Sequence, residues 1–130
     1  MRDIADIYAR PFGWGVSDCC TAACDAFERW HGIDPMRSLR GACSDLPGAL
    51  RLVRSGGGLL QVARDCAARA GLVEGAGDLG EFGVVTMPEG RHHRGFGAAL
   101  GVRFSRGWWV KTEGGVLILP PASVVESWNA

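Results

Sequence analysis

The stretch 14-WGVSDCCTAACDAF-27 places an aspartate and two adjacent cysteines where a glycine-broken approach turns into an amphipathic helix. Ser17 or Asp18 can cap its start and Gly32 can end it, so the pattern predicts a helix over 18–31. Cys20, Cys24, Phe27 and His31 recur at i, i+4, i+7 and i+11, whereas Cys19 shares the neighbouring stripe with Ala23, Ala26 and Trp30. Adjacent helical residues diverge by about 100°, so the two cysteines cannot do the same job. Cys19 falls in the first turn, where free backbone N–H groups and the positive helix end stabilise a thiolate. It is therefore a candidate nucleophile, with packing as the alternative, while Cys20 and Cys24 read as core. Asp18 would raise the thiol pKa unless its carboxylate is turned away to cap the helix.

Before this helix, residues 2–10 form a short helical segment and 11–15 break it. After it, "SDLPGALRLVRSGGG" predicts a helix around 45–54, ended by the glycines at 56–58. "LLQVARDCAARAG" predicts another, with Leu59, Val62, Ala63, Cys66 and Ala70 on one face and Gly71 as the cap. Beyond Gly71 the period becomes alternating, and residues turn aromatic, β-branched and glycine-punctuated. Strands are expected within 78–87, over 98–104 with Ala98, Leu100, Val102 and Phe104 on one face, over 108–112 and over 116–120. The last three form an antiparallel meander through turns at 105–107 and 113–115. Residues 123–128, "SVVESW", make a final strand or cover a barrel end. The fold class is α+β: N-terminal helices followed by a small antiparallel sheet or partial barrel.

A chain of 130 residues with 47% hydrophobic and 22% charged side chains reads as one domain over 1–130 with a buried core. Fourteen basic and fourteen acidic residues cancel, so no nucleic-acid partner is expected. The opening "MRDIADIYARPF" carries Asp3 and Asp6 and no apolar run, so neither a signal peptide nor a membrane anchor is expected. Five cysteines with no C-x-x-C pair suit free thiols better than a disulfide framework, a metal or an iron–sulfur cluster, and no cofactor is expected.

A cysteine nucleophile needs a histidine to take its proton and a polar group to orient the ring. Of the three histidines, His31 stands twelve residues along the helix from Cys19, about 18 Å away at helical rise. That leaves His92 and His93 in "PEGRHHRGFG" (88–97), the most exposed-looking loop, where a solvated basic turn with Arg91 and Arg94 is the other reading.

These residues resemble a known family. A "WG" approach, "DC" opening an amphipathic helix and "GD" before the first strand are similar to the NlpC/P60-like cysteine peptidases of the papain-like superfamily. "PFGWGVSDCCTAACDAFERWHGIDPMRSLRG" (11–41), "GGLLQVARDCAARAGL" (57–72) and Gly77-Asp78 resemble, more closely, small phage-encoded NlpC/P60-like proteins found among tail genes. The likeness runs over nearly the whole chain and implies an NlpC/P60 (papain-like) type of fold with Cys19 at the nucleophile position. The family's histidine opens the strand after "GD"; here that stretch is "GAALGV" (97–102), and the nearest residue is Gly97. The orienting position falls near "WWVKTE" (108–113), at Lys111 or Glu113.

Two functions follow from the resemblance. One is a phage tail-tip or tail-assembly component with a degenerate site, made in the host cytoplasm, carried in the virion and contacting other tail proteins. Trp108, Trp109 and Trp128 would supply aromatic anchors, one of the first two facing inward. The other is an active cysteine peptidase or amidase that cleaves peptidoglycan stem peptides during entry, with Cys19 as nucleophile and His92 or His93 as base.

Overall fold

The computed structural model describes residues 1–88 and 97–130. Four helices, α1 (Ala5–Ala9), α2 (Cys19–His31), α3 (Leu46–Ser55) and α4 (Leu59–Arg69), precede six strands. These are β1 (Val73–Glu74), β2 (Phe82–Thr86), β3 (Ala98–Phe104), β4 (Gly107–Thr112), β5 (Gly115–Leu119) and β6 (Val124–Asn129). They form one sheet in the order β1-β6-β2-β3-β4-β5, antiparallel throughout. The expected α+β order and the β3-β4-β5 meander are thus present. The sequence pattern did not reveal the two-residue β1, nor that β6 leaves the meander to pair with β2, Phe82 opposite Trp128.

α2 lies on the face of the sheet that carries Phe82, Val84, Leu100 and Val102. Phe27 meets Phe82 edge-on, with ring centroids 5.2 Å apart, and Ile4, Ile7, Tyr8, Ala63 and Ala67 close the same core. The odd-numbered residues of β3 belong to the other face, where Val85, Ala99, Trp108, Val110 and Leu119 form a second cluster. The Trp108 indole crosses Gly83, where an added Cβ would stand 3.1 Å from the ring, and its Nε1 donates to the Pro121 carbonyl at 3.1 Å.

This packing corrects the expectation of aromatic surface anchors. Trp108 is fully enclosed and Trp128 is buried against Phe82 at 5.2 Å; both are core, one in each cluster. Trp109 is half-buried, edge-on to Tyr8 at 5.6 Å, with Nε1 donating to Ser105.

The "G-x-D-P…L-R-G" motif also finds a structural use. Arg40 holds Asp34 through Nε at 3.0 Å and Nη2 at 3.1 Å, and reaches Asp25 of α2 at 2.7 Å. This bidentate clamp ties the connection after α2 back onto the helix, and Gly32 ends α2 in the left-handed conformation, φ 73°.

Gly15 is the glycine on which the approach to α2 depends. It sits at φ 78°, and a Cβ there would lie 1.9 Å from the Cys43 carbonyl oxygen. Gly32 has a similar φ of 73° but open space around it. Gly32→Ala should therefore cost about 1–2 kcal/mol, the left-handed penalty alone, and Gly15→Ala about 3 kcal/mol or more, because the backbone of the 41–45 loop must also move. Urea unfolding of the two variants side by side checks the difference.

Candidate functional site

The Asp18 carboxylate accepts from the Thr21 N–H at 2.9 Å and the Thr21 hydroxyl at 3.1 Å through Oδ1, and from the Gly15 N–H at 2.8 Å through Oδ2. The Thr21 hydroxyl oxygen in turn accepts from the Asp18 N–H at 2.8 Å, which completes a capping box. Of the two capping candidates, Asp18 is the cap, and its carboxylate is turned into the backbone.

Cys19, directly after the cap, meets the sheet where it divides. β3 and β4 are paired only from Val102 opposite Trp109 to Phe104 opposite Gly107. Beyond that point residues 98–101 stay with β2 and 110–112 stay with β5. The start of α2 enters this fork: the Leu100 N–H lies against the Cys19 sulfur, and the Tyr8 hydroxyl donates to the Trp109 carbonyl at 3.2 Å. A cavity of about 80 Å³ opens beside it, walled by Phe12, Trp14, Ala98, Ala99 and Val110, with Cys19 in its lining.

The Cys19 and Cys20 sulfurs are 3.9 Å apart. A hydrogen bond from the Cys20 thiol draws the Cys19 thiol below its ordinary pKa; burial and the Asp18 charge oppose this, and the Leu100 and Cys20 N–H groups assist it. The same bond, with burial, pushes Cys20 well up. Burial raises Cys24, Cys43 and Cys66. Cys24 and Cys66 are core, as their spacing predicts.

Among the described residues, the acid–base groups Asp18 and Lys111 near Cys19 are already engaged. Asp18 is capping the helix. Lys111 is buried in the cavity wall with Nζ donating to the Tyr8 carbonyl at 2.7 Å and to the Arg10 carbonyl, and burial lowers its pKa. It pins the chain after α1 to β4. His31 stands at the other end of α2, where Nε2 meets the Gly80 carbonyl at 2.8 Å and the ring packs on Phe27. His92 and His93 lie outside the described residues. The stretch where the family likeness puts its histidine contributes Ala98 and Ala99 to the cavity.

One buried carboxylate escaped the sequence reading. Glu81, at the entry to β2, accepts from the Ser127 hydroxyl at 2.7 Å and the Gly77 N–H at 2.9 Å, and lies where a Cβ on Gly75 would be 2.0 Å from Oε1. The glycine spacing of "EGAGDLGE" (74–81) was the available signal: glycines at 75 and 77 leave room for a carboxylate against backbone N–H groups. Among the described residues, no three or more His, Cys, Asp or Glu side chains converge as a metal site, and no helix is long and apolar enough to cross a membrane.

Residues 2–130 match the family described as Domain of unknown function (DUF6950), and the chain belongs to that family. No curated protein and no solved structure matches it.

Iodoacetamide at neutral pH should modify Cys19 before the other four thiols, with a pH midpoint below the ordinary thiol range. Cys20→Ala removes the main donor to the Cys19 sulfur, so it should raise that midpoint and slow labelling at pH 7. Peptide mass spectrometry across a pH series reads both, and an unchanged midpoint in Cys20→Ala would dismiss the thiol pair as the cause.

Proposed function

We propose that this family member is a phage tail-tip or tail-assembly component on an NlpC/P60-like scaffold whose cleft holds a partner segment rather than cleaving it. The observation that carries this reading is the state of the Cys19 cavity. Ala98, Ala99 and Val110 supply apolar wall, and the nearby charged groups, Asp18 and Lys111, are bound to backbone. General base catalysis requires a group within hydrogen-bond reach of the proton it takes, held in orientation by its own partners. Neither Asp18 nor Lys111 is in that condition. A papain-like cleft with no held base among the described residues keeps its shape and its capacity to bind, and fold alone does not dictate turnover. On this reading the protein is made in the host cytoplasm, is built into the virion, and meets other tail proteins through the strand half.

A second reading is favoured by one feature, the lowered Cys19 thiol at the start of α2 with the Leu100 N–H against it. There the thiolate attacks the carbonyl of a peptidoglycan stem peptide, His92 or His93 relays the proton to the leaving amine, and water releases the acyl group.

The two readings separate on one substitution. Cys19→Ala phage should assemble tails that co-purify with this protein as the unaltered phage does, and should infect within about threefold of it, given a packing role for the half-buried thiol. Release of stem-peptide fragments by the purified protein, abolished in Cys19→Ala, would replace the first reading with the second.

A further inference from the structure

The cavity beside Cys19 is unusual in its sulfur. Cys20 and Cys43 also line it, as do Met36 and Met87, so five of the eight cysteine and methionine residues of the chain face one small space. The two thioethers come from different sides: Met36, like Cys20, packs against the α2-face core, and Met87, like Cys19, packs against the second cluster. Thiolates and thioethers are soft ligands that select soft ions such as Cu(I).

We propose that the Cys19 and Cys20 sulfurs, completed by the thioether of Met36 or Met87, form a three-coordinate site for a soft monovalent cation of the Cu(I) class. The ligand set fits this better than it fits zinc. With metal–sulfur bonds of about 2.3 Å, sulfurs 3.9 Å apart subtend an angle of about 116° at the ion, close to trigonal. Zinc wants four nitrogen, oxygen or thiolate ligands, and no three such side chains converge among the described residues. A neutral thioether completes a trigonal set without adding charge to an apolar cavity.

Binding balances simply. Cys19 and Cys20 each give up a proton, one cation enters, and the resulting complex carries one negative charge with no change of oxidation state. That charge sits at the N-terminal end of α2, with the Leu100 N–H on Cys19 and Lys111 in the same wall. Asp18 opposes it, but its two oxygens already face Gly15 and Thr21 donors.

The test uses the reduced full chain under anaerobic conditions, with Cu(I) offered as its bicinchoninate complex. One equivalent should be withdrawn from the chelator, and X-ray absorption should show three sulfur neighbours. Cys20→Ala should weaken retention at least 100-fold and Cys43→Ala should leave it within about threefold, consistent with loss or retention of a direct ligand. Should Cys20→Ala not fold, Cys19→Ala at the half-buried position carries the same test. Met36→Leu combined with Met87→Leu should still bind, with the sulfur count falling from three to two. The proposal is overturned if Cu(I) stays with the chelator, if nitrogen or oxygen neighbours dominate the spectrum, if three sulfurs persist in the double methionine variant, or if retention depends on Cys43. None of these outcomes bears on tail assembly, so the proposed function stands or falls separately.

Discussion

The Asp18 carboxylate holds together the start of α2 and the loop before it. One oxygen closes the first turn of α2 through Thr21 and the other fastens the preceding loop through Gly15. A cap of this kind is worth about 1 kcal/mol to a helix, and hydrogen bonds to a charged group somewhat more. Its larger effect is positional. Because the helix begins at one defined residue, Cys19 is delivered to the fork between β3 and β4 and Cys20 to the core side, one helical step apart.

The fork itself depends on the sheet's second face. Trp108 fills that face over Gly83, and Gly101 lets the β4 backbone approach, since a Cβ there would stand 2.8 Å from the Trp109 carbonyl oxygen. Past Trp109 the two strands separate; the Tyr8 hydroxyl and the Cys19 sulfur arrive there from elsewhere in the chain, and Lys111 of β4 reaches back to the Tyr8 and Arg10 carbonyls. Buried polar backbone needs partners, and here side chains supply them where the ladder does not. The cavity is the space that remains.

A stabilised thiolate and a working nucleophile are different achievements. The Cys19 thiol is favoured in its charged form chiefly by the neighbouring Cys20 thiol, whose own pKa that bond and burial push well up; such a donor steadies a thiolate without taking its proton. Catalysis at such a sulfur requires a second, mobile-proton group held in place. Binding, as proposed for a partner segment or a soft ion, asks less: the sulfurs need only be held in the cavity wall.

Local pattern was enough for much of this. The helix boundaries at Asp18 and Gly32, the core assignment of Cys24 and Cys66, the switch from helices to an antiparallel meander and the singular position of Cys19 all follow from spacing, caps and turns, which act over a few residues and are written in consecutive letters. The partner of Arg40 in Asp25, the burial of both Trp108 and Trp128, the pocket for Glu81 and the pairing of β6 with β2 were not legible, because each joins residues far apart in the chain. The Asp18 cap joins residues three positions apart, and so was within reach of local pattern. Where that cap delivers Cys19 was not: only tertiary structure decided it, because the fork between β3 and β4 is made by strands far along the chain.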